Sequence, residues 1–170
     1  RGLIEYMRDN SGVNDNEIVI FDKQAALKER LMLRKQQIDL ERKALEKTPL
    51  GETCDNLVWQ AVNGKIDPII GVEEKMEEVI QTLAQYKKPN VMVLAEPGVG
   101  KTALAEGLAL KIANGDVPDW MLDKRIYSLS VSNLAAGTRY RGDMEERIEK
   151  MVEQLSGDDN AILFIDEVHM

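Results

Sequence analysis

An α/β fold, with a parallel sheet between layers of helices, is what this sequence predicts, and three observations carry the prediction. Two short apolar runs, at residues 91–94 and 161–165, have the length and continuity of strands buried on both faces. Segments with helical periodicity alternate with these and with a further strand-like segment, the order that builds a parallel sheet with helices on both faces. Between the first apolar run and the next helical segment lies a glycine-rich turn, Ala95-Glu96-Pro97-Gly98-Val99-Gly100, as at a strand-to-helix turn that meets an anion.

Taken in chain order, residues 1–20 carry only turn signals, such as Asn10-Ser11-Gly12. From about 23 to 47 the chain is rich in Lys, Arg, Glu, Gln and Leu and has no Gly or Pro, a composition that favours helix. Leu27, Leu31, Ile38 and Leu45 fall on one stripe with charges elsewhere. A solvated linker helix is the expected reading, with a docking helix or a short coiled coil as the alternatives. Thr48-Pro49-Leu50-Gly51 breaks that helix. A domain boundary is placed there, giving a helical linker over 1–50 and a second domain over 51–170.

Beyond it, Leu57, Val58 and Ala61 mark a short helix ending at Asn63-Gly64, and Asp67-Pro68-Ile69-Ile70-Gly71 an extended segment, because a proline pushes its predecessor out of helical geometry. Met76, Val79, Ile80 and Leu83 predict a helix, and so do Leu104, Leu108 and Ile112, with Gly115 as its stop. Tyr127, Leu129 and Val131 alternate with serines and predict a strand. Met144, Ile148, Met151, Val152 and Leu155 predict the last helix.

Among 170 residues, 44% are hydrophobic and 31% charged, ordinary for a globular protein, and the net charge is -8. That field repels phosphate backbones, so a nucleic-acid partner is not expected. Cys54 is the single cysteine, so no internal disulfide is possible and a reducing compartment fits. No apolar run approaches membrane-spanning length, so no membrane partner is expected.

The chemistry concentrates in two motifs. In Ala95–Thr102 the backbone N–H groups of Gly98 through Thr102 can wrap a phosphate chain, and the helix that follows aims its positive end at the anion. Lys101 supplies a charge for the terminal phosphates and Thr102 a hydroxyl for Mg²⁺. Alanine stands where the usual pattern has its first glycine. Downstream, the strand 161–165 ends in Asp166-Glu167, and carboxylates at the C-terminal end of a parallel strand lie on the rim where ligands bind. Asp166 is assigned to the Mg²⁺ shell, and Glu167 to positioning the attacking water as the catalytic residue. Asp166-Glu167-Val168-His169 also spells the DExH box of some helicases, so a nucleic-acid motor is one alternative; a non-catalytic interaction module with a vestigial nucleotide site is another.

From about 67 to 170 the chain resembles the first nucleotide-binding domain of the Clp ATPases, AAA+ protein unfoldases, on their ClpA and ClpC side. The matching stretches are Asp67–Gly71, Glu96–Ala103 with Glu106-Gly107-Leu108-Ala109, Gly115-Asp116-Val117-Pro118, Ala136–Asp143 with Glu145-Glu146-Arg147, and Ile162–His169. The resemblance implies a P-loop NTPase (AAA+) fold, a three-layer αβα sandwich that is incomplete at the C-terminal end here. It also implies ATP with Mg²⁺ as cofactors, held by Pro97, Gly98, Val99, Gly100, Lys101, Thr102 and Ala103, with Ile69, Ile70 and Gly71 packing around the adenine. The family usually continues Gly71 with an arginine; here Val72 follows. Arg139, Tyr140, Arg141 and Gly142 resemble the first pore loop, which grips substrate. A hexameric ring of this chain, polypeptide substrates, a barrel-shaped Clp-type peptidase partner and a cytoplasmic setting, or the stroma or matrix of an organelle, are further implications. A disaggregase relative lacks the peptidase, and the 170 residues by themselves are expected to be inactive.

Overall fold

The computed structural model describes residues 15–85, 100–129, 134–135 and 141–165. In chain order these form α1 (Asp15–Leu45), α2 (Pro49–Thr53), β1 (Cys54–Asn56), α3 (Leu57–Val62), α4 (Glu73–Leu83), α5 (Lys101–Asn114), a 3-10 turn (Asp119–Met121), β2 (Arg125–Leu129), α6 (Arg141–Ser156) and β3 (Ala161–Ile165). The strand expected at 91–94 lies outside the described residues.

Local chemistry sets most of these boundaries. Thr48 caps α2, its hydroxyl accepting from the Gly51 N–H at 3.3 Å, and Pro49 occupies the first helical position, where its missing N–H costs nothing. The sequence there therefore reads as a break in α1 followed at once by a new turn of helix. Asn56 caps α3 by accepting from the Trp59 N–H at 2.9 Å. Gly115 closes α5 in the left-handed region at φ 75, as a helix-stopping glycine should.

The sheet is mixed, not wholly parallel. Its order is β1-β2-β3, with β2 and β3 parallel from Arg125↔Ala161 to Leu129↔Ile165, and β1 antiparallel to β2 through Cys54↔Leu129 and Asn56↔Tyr127. β1 gives no sequence signal: three residues show no alternation, and Asp and Asn are poor strand formers. β2 begins two residues before the expected strand, and its described part stops at Leu129. β3 is less buried than its apolar sequence predicts, with Ile165 43% exposed. Among the described residues it is hydrogen-bonded on one edge only, to β2.

Side chains alternating along the strands feed two cores, one on each sheet face. On the first, Ile126 packs with Leu57, Val58 and Ala61 of α3 and with Ala105, Leu108, Ala109 and Ile112 of α5. On the second, Tyr127 packs with Leu50, Cys54 and Met151 of α6. Helices thus cover both faces, and the layered α/β class is as predicted.

Helix α1 is not the solvated linker expected. Ile38 is 1% exposed and belongs to the first core. The Arg34 guanidinium donates to Asp123 Oδ1 at 3.2 Å and to the Lys124 carbonyl at 2.6 Å. Trp59 Nε1 donates to Asp39 at 2.7 Å, with Arg42 stacked 3.9 Å from its ring centre. Composition misled because the docking stripe is narrow and framed by charges whose partners lie 84 to 90 residues away. The stripe Leu27, Leu31, Ile38 and Leu45 is nevertheless the docked face: all four are buried or half-buried.

Candidate functional site

The N-terminus of α5 carries the centre of the phosphate motif. Gly100 is its N-cap at φ 85, ψ 33, a conformation that favours glycine, and Lys101 is the first helical residue. No side chain caps this end and no acidic residue sits in its first turn. The leading N–H groups of a helix have no partner within it, so this end carries donors and the positive pole of the helix dipole. Gly100 as N-cap and Lys101, Thr102 and Ala103 as the first three helical residues make up this turn. Pro97, Gly98 and Val99 lie outside the described residues.

The segment expected against an adenine lies before α4. Ile69 is half-buried, Ile70 is 89% exposed and Gly71 adopts φ 88. The Gly71 N–H donates to the Glu73 carboxylate at 2.9 Å. Hydrogen bonds from the backbone N–H groups of Glu73 itself and of Gly71 hold that carboxyl below the usual range. Helix α4 and its N-cap Val72, which follow this segment, ride close over α5 because α5 carries Gly107 at the crossing. A Cβ there would lie 2.9 Å from the Met76 sulfur and 3.6 Å from Val72 Cγ2. The sequence shows Gly107 but not its purpose, since a glycine within a helix signals close approach without naming the neighbour.

A cavity of about 380 Å³ lies between α4, α5 and the sheet, and both Lys101 and Phe164 line it. Leu83, Leu104, Ile126 and Ile162 complete an apolar wall. This lining suits packed hydrocarbon and not a triphosphate. Its value is positional: the start of α5 and residues Ala161–Phe164 of β3 face the same space, and Asp166 and Glu167 follow β3 directly in sequence. Both acids lie outside the described residues, as do Arg139 and Tyr140. Arg141 and Gly142 are the first two residues of α6, so helix has already begun within the stretch that resembles the pore loop.

Sequence reasoning missed the charged joints around the sheet. Arg125, at the start of β2, donates to both Glu41 carboxylate oxygens, at 2.5 and 2.6 Å, and to Asp158 at 3.0 Å. The hydrogen bond with Glu41 raises its pKa, outweighing burial. Burial lowers that of Arg34 in spite of Asp123, and its buried Nε has no partner. Among the described residues no group of acidic, histidine or cysteine side chains is assembled to hold a metal, and no helix is long and apolar enough to cross a membrane.

Comparison with known proteins agrees with this geometry. Residues 91–170 match the family model described as ATPase family associated with various cellular activities (AAA). A protein of Guillardia theta named ATP-dependent Clp protease ATP-binding subunit ClpA homolog is 51% identical over 124 residues, 72% of this chain and 15% of its own length. Chloroplastic chaperone protein ClpC of Pisum sativum is 50% identical over 124 residues, 72% of this chain and 13% of its own. The chain thus spans about 15% of the length of the curated relatives it matches. Among solved structures, the S. cerevisiae Hsp104-ADP complex superposes with a TM-score of 0.66 at 39% identity, covering 71% of this chain and 21% of that one. With a mixed sheet between helices and a left-handed glycine opening α5, residues 91–170 belong to the AAA ATPase family, and the chain is similar over 72% of its length to the Clp ATPases.

Proposed function

We propose that this chain is the nucleotide-binding portion of an ATPase that unfolds and threads polypeptides. The observation that carries the reading is the N-terminus of α5, where Gly100, uncapped and left-handed, leads into Lys101 with no acid in the first turn. Lys101 and the N–H groups around it hold the terminal phosphates, and Gly98 lets the backbone approach them. Ile69, Ile70 and Gly71 take the adenine, for which the exposed Ile70 offers free apolar area. Thr102 and Asp166 are the residues to hold Mg²⁺, which offsets phosphate charge when bound. Glu167 orients water for in-line attack.

The proposal extends to a hexameric ring, to Tyr140 with Arg139, Arg141 and Gly142 as the substrate grip, to a Clp-type peptidase partner, and to the cytoplasm or an organelle stroma or matrix. The names of the relatives support it, as does an acidic chain that disfavours nucleic acid. Division at residue 50 remains our reading, with residues 1–50 as an arm appended to the ATPase part, though α1 is an arm that docks. The test is ATP turnover by the full-length protein with an unfolded polypeptide and, separately, with single-stranded DNA. Stimulation by polypeptide alone is expected; stimulation by DNA alone returns the Asp166–His169 run to a nucleic-acid motor.

A further inference from the structure

The helix around 23–47 was expected to be a solvated linker, yet α1 and α2 together touch every layer of the described fold. At one end Leu27 and Leu31 lie over Gly115, the C-cap of α5; a Cβ there would meet their methyl groups at 3.3 and 3.4 Å. Next, Arg34 grips Asp123 and the Lys124 carbonyl just before β2, and Ile38 enters the first core. Then Glu41 clamps Arg125, whose guanidinium also holds Asp158 in the turn that starts β3. That turn is fixed further by the Asn160 N–H donating to Asp158 at 2.9 Å and by Lys124 Nζ donating to the Asp159 carbonyl at 2.7 Å. Finally α2 reaches the opposite face, where Leu50 packs in the second core and its N–H donates to Gln154 Oε1 of α6 at 3.2 Å. Leu45 and Leu50 thus belong to one core and Ile38 to the other, so a single run of chain passes from one sheet face to the other.

It touches both helices that matter on the reading above, on which this inference rests, in each case near the C-terminal end: Gly115 after α5 and Gln154 in α6. Helix α5 begins at the phosphate-facing Lys101, and α6 begins at Arg141, next in sequence to Tyr140. We propose that α1 and α2 form a strap that couples the nucleotide-facing helix α5 to α6, so that movement of α5 on nucleotide binding is passed to the segment that grips substrate. A rigid, packed element touching both helices moves with both, and it adds a second link to the one that β2 makes through Ile126 and Tyr127 in the opposite cores. The charged joints make the strap adjustable: they are partly exposed, with side-chain exposure of 13% for Arg125 and 26% for Glu41.

Hydrogen–deuterium exchange on the full-length protein, with and without a non-hydrolysable ATP analogue, tests the strap. In the wild type, nucleotide should change amide protection in both α5 and α6. The double variant Glu41→Gln with Asp123→Asn removes two joints without changing side-chain size or touching the nucleotide site. It should exchange faster along α1, keep the response of α5 and lose that of α6. Basal ATP turnover should hold, while substrate unfolded per ATP consumed should fall by about fivefold or more, as loss of a typical coupling energy would give. Ile38→Ala, which loosens the strap through packing instead of charge, should reproduce this, and Glu41→Asp should restore much of the response. If α1 is demonstrably looser in both variants and α6 still answers nucleotide, the strap does not couple. If α5 of the wild type ignores the analogue, the nucleotide reading falls, and the strap with it.

Discussion

Each site residue has a distinct failure. On the proposed function Lys101 supplies the charge that meets the terminal phosphates, so Lys101→Ala should abolish measurable ATP binding at this site in an equilibrium titration. Glu167→Gln keeps the shape and removes only the group that orients water, so ATP should still bind while turnover falls by about 10²-fold or more. Normal turnover in that variant, with any second ATPase module disabled, would take Glu167 out of its role. Tyr127 supplies a pH test of the second core. Burial pushes its phenol up to about 12; Arg125 opposes the shift, and Asp158, Glu41 and Cys54 add to it. A phenol whose folded pKa is raised stabilises the fold fully below its unfolded pKa of about 10, and that contribution is lost as pH rises through about 12. Phenolate absorbance should therefore show one tyrosine titrating near pH 12 that is missing in Tyr127→Phe. Titration of that tyrosine near 10 would show that the second core is open to water.

Among the elements, α1 and α2 depend on side chains and on one glycine. Ile38 is 1% exposed, whereas Leu40, two positions on, is 68% exposed. Ile38→Ala should cost about 2–5 kcal/mol through lost burial and a residual cavity, and Leu40→Ala within about 0.5 kcal/mol, read from the first thermal transition of the full-length protein. Equal effects would mean that α1 is not docked. Gly51 is under tighter control: a Cβ there would lie 2.0 Å from the Leu45 carbonyl oxygen, a backbone atom that cannot swing aside. Gly51→Ala should destabilise by about 3 kcal/mol, an overpacking cost at the junction of α1 and α2. The sequence displayed this glycine as part of a break; the structure shows it letting α2 fold back against the end of α1.

For the whole molecule, the proposed function makes ATP turnover and substrate threading separable. Arg139 and Tyr140 immediately precede α6, which packs by Met151 in the second core, away from α5 in the first. An aromatic ring offers flat apolar area to a polypeptide of any sequence at low entropic cost. Tyr140→Ala should therefore leave basal ATPase and assembly near wild type while slowing the unfolding of a tagged, folded substrate, most clearly where any second ring is disabled. A fall in both activities together would make Tyr140 a structural residue, and no change in either would move the grip elsewhere.

The sequence by itself determined the periodic and the local. Helices α3, α4, α5 and α6, strand β3 and the Gly115 stop all follow from spacing and caps, because a helix or strand records its own period and a cap acts within a few residues. The glycine-led start of α5 at Gly100 and Lys101 was legible for the same reason: the motif is contiguous. Tertiary structure alone decided that β1 exists, that it runs antiparallel, that Gly107 makes room for Met76, and that α1 is bound. These depend on partners far along the chain, such as Glu41 with Arg125 or Arg34 with Asp123. A charge in a sequence carries no mark of which opposite charge it meets, so only folding reveals the pair.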